Sequence, residues 1–225
     1  ATAADDGRVT IWDAAARRPA GSALVHPPGR SVVAMVPTPD GRLLITCCDD
    51  GSIRRWDTAT GEPIRGTLQH GTGAGDRTLA PSLDGRTLIS GGEDGIALRW
   101  DLATGRRIDP PMRHDSAITA IAFGRDGRAI ITGTRDGRLH VWDAEGARVS
   151  ELPSQGAAVT GLDFAPAGEI FAAATAGGVV RLWDLNMLGH PAQTLMPGRA
   201  ATRVAFHPGG RVVATGQHDG TIQLW

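Results

Sequence analysis

Apolar residues in this chain come in short runs of five or six, separated by turns rich in aspartate and glycine, and the runs do not keep a helical spacing. Between 117 and 143, Ile118 to Phe123 is apolar, Arg125-Asp126-Gly127-Arg128 breaks the run, and Ala129 to Gly133 resumes it. Asp136-Gly137 then breaks it again, and Leu139 to Trp142 closes the segment. Asp-Gly between apolar runs supplies the positive φ angles of a tight hairpin, so the pattern predicts three consecutive antiparallel strands. A fourth is predicted from Arg148 to Leu152, completing a four-stranded meander. The runs are apolar on more than one face, since Leu43-Leu44-Ile45 and Ala129-Ile130-Ile131 do not alternate. A lone sheet would leave one such face in water, so the sheets must cover one another.

This pattern recurs. Tryptophans stand at Trp12, Trp56, Trp100, Trp142, Trp183 and Trp225, in steps of 44, 44, 42, 41 and 42 residues. Five of them precede an aspartate, at Asp13, Asp57, Asp101, Asp143 and Asp184. A period near 40 to 45 with a Trp-Asp signature resembles the WD-repeat family, and the resemblance covers essentially the whole chain. It implies an all-β fold, a β-propeller of four-stranded antiparallel blades. The period divides the single repeat region 1–225 into a partial first blade at 1–30, successive blades at 31–70, 71–114, 115–155 and 156–197, and a partial last blade at 198–225. On this count the chain is expected to be an incomplete fragment, holding about five to six blades of a six- or seven-bladed ring. Open blade edges would favour self-association of the isolated piece.

Polar residues keep the same phase. Ten residues before each tryptophan stand Thr2, Thr46, Ser90, Thr132, Ala173 and Thr215, and six before stand Asp6, Asp50, Asp94, Asp136, Gly177 and Asp219. His26, His70 and His114 lie 28 to 30 residues before their tryptophans. In the family such residues form a buried hydrogen-bond chain. The resemblance therefore implies three complete sets: His26, Thr46, Asp50 and Trp56; His70, Ser90, Asp94 and Trp100; His114, Thr132, Asp136 and Trp142. The chemistry suits this, because an indole N–H only donates while a hydroxyl both accepts and donates. A hydrolytic triad is the rival reading of the same residue types. Repetition at blade spacing argues against it. The fifth period has lost the set, with Gln155, Ala173 and Gly177 in the three places, so the Trp183 indole needs another acceptor; the sixth has Pro197 in place of histidine.

Strand alternation puts the loops between blades and the Asp-Gly turns at one end of the sheets. The residues just before the turn aspartate, Asp5, Asp49, Glu93, Arg135, Ala176 and His218, vary where their neighbours are nearly fixed. Arg30, Asp49, Arg77, Glu93, Asp115, Arg135 and His218 are accordingly the candidate partner-binding face, with solvated turn residues as the plain alternative. The opposite end carries the uniform Pro39-Asp40-Gly41, Leu83-Asp84-Gly85 and Arg125-Asp126-Gly127 turns and the Ala-Thr-Gly loops.

Composition narrows the function. With 41% hydrophobic and 21% charged residues the chain is an ordinary globular protein, and a net charge of -1 supplies no field for nucleic acid or an anionic membrane. Every basic residue is arginine, which removes Schiff-base and P-loop lysine chemistry. Adjacent Cys47 and Cys48 are poor disulfide partners, so a cytoplasmic setting is expected. No apolar stretch reaches the roughly 20 residues of a membrane span. The histidines lack ligand spacing, and Gly71-Thr72-Gly73-Ala74-Gly75 fits neither phosphate-loop pattern and reads as an inter-blade loop, so no metal, cofactor or catalytic residue is assigned. The Ala-Thr-Gly loops and Asp-Gly-Arg turns resemble repeats of bacterial signalling proteins such as serine/threonine kinases. The expected function is a non-catalytic interaction scaffold or docking domain for a protein or peptide, within a larger signalling protein. The alternatives are a propeller enzyme or a small-ligand binder using the central channel. Against the enzyme, Val33 to Val36, Ile118 to Phe123 and Val204 to Phe206 offer no carboxylate or histidine.

Overall fold

The computed structural model describes residues 1–71, 77–125, 127–196 and 198–225. The glycine-rich loop from Thr72 on, Asp126 and Pro197 lie outside the described residues. The described residues form strands and turns without a helix. The first strands are β1 (Thr2–Ala3), β2 (Arg8–Thr10), β3 (Trp12–Asp13), β4 (Arg18–Pro19) and β5 (Leu24–Val25). Then come β6 (Val32–Pro37), β7 (Leu43–Cys48), β8 (Ser52–Asp57) and β9 (Leu68–Gln69), followed by β10 (Arg77–Pro81), β11 (Thr87–Gly92), β12 (Ile96–Asp101) and β13 (Arg107–Arg113). The next eight are β14 (Ile118–Phe123), β15 (Ala129–Thr134), β16 (Leu139–Asp143), β17 (Arg148–Leu152), β18 (Val159–Phe164), β19 (Ile170–Thr175), β20 (Val180–Asp184) and β21 (Gln193–Leu195). The last are β22 (Ala201–Phe206), β23 (Val213–Gln217) and β24 (Ile222–Leu224). Four of the sheets have four strands in sequence order, β6 to β9, β10 to β13, β14 to β17 and β18 to β21. Sheets β1-β2-β5, β3-β4 and β22-β23-β24 are smaller.

The chain packs as two compact units, Ala1–Ser90 with Leu98–Asp109 and Gly91–Ala97 with Pro110–Trp225. In the first, Val9, Leu24, Leu44 and Trp56 form a buried cluster backed by Ile11, Val32 and Met35. In the second, Ile131, Leu139, Val141 and Leu152 of one sheet meet Val159, Phe164, Phe171 and Trp183 of the next. A further layer joins Ala172, Ala174 and Val180 to Ala201, Val204 and Val213. Apolar residues on both faces are thus accounted for, because neighbouring sheets cover them, and each fully buried large side chain contributes about 1.5–3 kcal/mol.

Two repeated devices set the spacing of the sheets. The first strand of four of the sheets carries a register shift, between Val32 and Ala34, Ile118 and Ala120, Val159 and Gly161, and Ala201 and Arg203. At the shifted position the Thr119 and Thr160 hydroxyls each donate, at 2.5 Å, to the next sheet, to the carbonyls of Val159 and Ala201. Opposite them small residues admit close approach: a Cβ on Gly91 would lie 2.8 Å from Ile121 Cδ1, and one on Gly133 would overlap Val159.

Candidate functional site

The Asp-Gly turn between the second and third strands of each sheet is fixed by backbone bonds that repeat along the chain. The residue before the turn aspartate, or before Gly177 where the aspartate is lost, donates its N–H to the loop entering the sheet: Asp49 to Ser31 at 3.0 Å, Arg135 to Ala117 at 2.8 Å, Ala176 to Ala158 at 2.9 Å and His218 to Ala200 at 3.0 Å. The turn glycine carbonyl then accepts from the next loop, Gly51 from His70 at 2.9 Å and Gly137 from Gln155 at 2.8 Å. Gly137, with φ +85°, has no room for a side chain, since a Cβ would sit 2.6 Å from the Ala157 carbonyl oxygen.

Beneath these turns lie the tryptophan hydrogen bonds. The Trp56, Trp100 and Trp142 indoles donate to Thr46, Ser90 and Thr132 at 2.8, 2.8 and 2.9 Å. Those hydroxyls meet His26, His70 and His114 at 2.8, 2.5 and 2.6 Å. The ten-residue spacing follows from the hairpin register: Leu44 pairs with Trp56 and Thr46 with Arg54, which leaves Thr46 and Trp56 diagonal neighbours on one face. Outside these sets, Trp12 donates to Thr2 at 2.9 Å and Trp225 to Thr215 at 3.1 Å. The Trp183 indole, 1% exposed, has no hydrogen-bond partner among the described residues. In its blade Arg181 donates to the Gln155 side-chain oxygen at 3.0 Å instead.

The aspartates expected to complete the chain are placed differently in two sets. Asp50 accepts from the Ser52 amide at 2.9 Å and lies 3.3 Å from Arg30, while His26 Nδ1 meets the Cys48 sulfur at 2.9 Å. Asp136 accepts from the Thr134 hydroxyl at 2.6 Å, while His114 Nδ1 donates to the Gly95 carbonyl at 3.2 Å. The physical reason is local: an aspartate at this turn position closes the turn onto amides and hydroxyls two residues away before it can reach an imidazole. In the remaining set Asp94 accepts from the Ile96 amide at 3.1 Å.

The variable residues separate by exposure. In the first unit Arg30 is exposed and lies 3.9 Å from half-buried Asp49. In the second, Glu93, Asp115, Arg135 and His218 are all exposed, and Arg135 forms an ion pair with Glu93 one period away. Arg77 is a correction. It is 7% exposed and its guanidinium donates inward to the His70 carbonyl at 3.3 Å. Arg77 opens β10, the place that Ile118, Val159 and Ala201 take in their own sheets, so register turns its side chain into the core.

Several functional groups escaped sequence reasoning. Cys48 contacts His26 because its strand position lies two residues beyond Thr46 on the same face. Arg55, fully buried, donates to the Leu102, Arg65 and Gly66 carbonyls at 2.5, 2.8 and 3.2 Å. Asp163 accepts from the Phe164 and Phe206 amides at 2.9 and 2.6 Å, and burial raises its carboxyl above the usual range. The Arg-Trp pairs at 55–56 and 99–100 were the visible signal for the first arginine; nothing in the sequence marked Asp163 as a clamp.

These sites are built to stay uncharged and closed. Burial holds His26 at about 4, with the nearby Arg54 charge acting the same way, and burial holds His114 at about 4 with His140 beside it. Burial pushes the Cys47 thiol up to about 12. Thr46, Ser90 and Thr132 are wholly buried, so none of these hydroxyls can meet a substrate. Among the described residues no group of three His, Cys, Asp or Glu side chains could hold a metal ion, and no helix is long and apolar enough to cross a membrane.

Stacked four-stranded antiparallel sheets pinned by a recurring tryptophan define a β-propeller. The family model "WD domain, G-beta repeat" matches residues 23–57, 111–143, 146–184 and 189–225, and the chain belongs to that family. Propellers of this family serve in general as protein-interaction scaffolds and are typically non-catalytic. A chain of the mitotic checkpoint complex crystal structure matches with a TM-score of 0.87 and 19% identity, over 97% of this chain and 69% of that one, a likeness of fold alone. Protein Atg16l2 of mouse is 32% identical over 75 residues, and so is that of human, covering 32% of this chain and 12% of either protein. Telomerase protein component 1 of mouse is 33% identical over 76 residues, covering 33% of this chain and 3% of that protein. The matched segment is thus a small part of each of these relatives.

Proposed function

We propose that the chain is a non-catalytic docking module that presents its turn residues to a protein or peptide partner, within a larger cytoplasmic signalling protein of a bacterium. The observation that carries this reading is a contrast at one end of the sheets. Backbone bonds hold the turns alike, while the side chain just before the turn aspartate changes from Asp49 to Glu93, Arg135, Ala176 and His218. A constant frame with variable exposed side chains suits recognition, and rim charges of this kind steer association and reject wrong partners. Arg30 and Asp49 would serve on the first unit, and Glu93, Asp115, Arg135 and His218 on the second. The signalling context is supported by the likeness of the Ala-Thr-Gly loops and Asp-Gly-Arg turns to repeats of that kind. The cytoplasm is supported by two free, buried cysteines.

The test is quantitative capture with the wild-type chain and with an Asp49→Arg, Glu93→Arg, Arg135→Glu triple variant. Specific partners are expected to fall at least about tenfold on the triple variant. An Arg42→Glu, Arg86→Glu variant at the other end of the sheets is expected to retain them. Equal recovery on wild type and triple variant rejects the docking face.

A further inference from the structure

In the second unit two histidines lie under the turn that carries Glu93. The His114 backbone N–H donates to the Gly95 carbonyl at 2.8 Å, and Nδ1 donates to the same oxygen at 3.2 Å. Its Nε2 lies 2.6 Å from the Thr132 hydroxyl, which already accepts the Trp142 indole proton at 2.9 Å. The hydroxyl proton therefore points to Nε2, and His114 is the neutral Nδ1–H tautomer. His140 faces Thr132 across the β15–β16 ladder and is 4% exposed. Its ring centre is 4.8 Å from that of His114, edge-on at 85°. Its Nδ1 has no hydrogen-bond partner and stands 3.7 Å from Glu151 Oε2. Glu151 is held by Arg138 at 2.6 Å and Arg148 at 3.6 Å.

We propose that His140 and His114 form an acid-sensitive latch on the Glu93 turn: the closed turn keeps both imidazoles buried, together and neutral, and proton uptake by the opened turn releases Gly95 from His114. The geometry supplies each part. An unpartnered buried nitrogen beside a carboxylate is where the cluster takes up a proton from water. The new charge sits against the ring of His114. With the ring centres 4.8 Å apart, a charge on either imidazole opposes a charge on the other, so the closed turn, which keeps both rings buried and together, is the form that resists protonation. The charged groups around His140 are Glu151 and Arg148 of β17, Asp136 and Arg138 of the β15–β16 turn, and His114 of the loop before β14. Burial lowers His140 from its ordinary value, with Glu151 opposing. Both imidazoles are neutral at pH 7 and lie below their ordinary 6.5 in the closed turn, His114 at about 4. As pH falls below 6.5 the open form takes up protons first, so acid favours opening.

The test is hydrogen exchange of the Gly95 and His114 amides from pH 7.5 to 4.5, corrected for intrinsic rates, in wild type, His140→Gln and Glu151→Gln. Wild-type protection is expected to fall about tenfold or more across this range, as for a local opening that costs little. His140→Gln should lessen the fall, leaving the part that His114 contributes, and Glu151→Gln, which removes the carboxylate that favours a charged His140 in the closed turn, should deepen it. Unchanged wild-type protection, or one pH profile shared by all three proteins, overturns the latch. Its consequence for binding rests on the docking reading, but exchange is measured without a partner, so failure of either is distinguishable from failure of the other.

Discussion

A single hydroxyl decides how a tryptophan is held. Thr132 accepts from Trp142 and gives its proton to His114, so Thr132→Val keeps the shape and strands both partners. A loss of about 1–3 kcal/mol is expected by denaturant titration, the cost of orphaned buried polar groups. The natural experiment runs the other way in the fifth blade, where Ala173 leaves the Trp183 indole unpartnered. Ala173→Ser restores an acceptor and is expected to raise stability by about 1 kcal/mol; unchanged or lower stability would show that the buried N–H costs nothing there. The hydroxyl, histidine and tryptophan positions were legible in the sequence because each follows from strand register. The destination of Asp50 and Asp136 was not, because an aspartate two residues from an amide or hydroxyl has a nearer partner than an imidazole. Cys48 escaped for a related reason: periodicity marks a place in the blade, and its occupant decides the contact.

Strands and turns were the most legible level. The runs Ile118 to Phe123 and Arg148 to Leu152 are strands with those bounds, since Asp-Gly turns punctuate them. Packing between sheets was less so, because it depends on pairs of positions one period apart. Gly133 faces Val159, whereas at the same place one sheet later Ala174 packs in a cluster with Ala201. Gly133→Ala is therefore expected to cost about 1–3 kcal/mol by overpacking, and Gly133→Ala with Val159→Ala to recover part of that loss. Thermal unfolding of the single and double variants checks this, and additive losses would contradict the shared contact. Arg77 shows why the binding-face reading failed at one residue: a charge in a loop-like stretch looks exposed until register assigns it to the inner position of a strand.

At the scale of the whole molecule, each compact unit is a scaffold whose polar groups are spent on holding sheets and turns, and its exposed variable residues are left for recognition. The histidines add a pH dependence of sign opposite to that of half-buried Asp163. His26 and His114 are depressed to about 4, so the stability they contribute is complete above 6.5 and is lost as pH falls toward 4. The raised Asp163 carboxyl favours the folded state as it takes up its proton on acidification. His140 is depressed as well, and the lowered carboxyls of Asp50 and Asp136 act in the same direction, so net stability is expected to drop between pH 6.5 and 4, which denaturant titration at stepped pH would record.

The most direct measurement of the account is indole N–H exchange in the nitrogen-15-labelled protein. Trp56, Trp100 and Trp142 should exchange slowly, Trp183 should be slow but with the shift of an indole lacking a hydrogen bond, and exposed Trp12 should exchange fast. Six indoles exchanging alike with solvent, or slow exchange abolished together by one substitution at a single cleft, would contradict it.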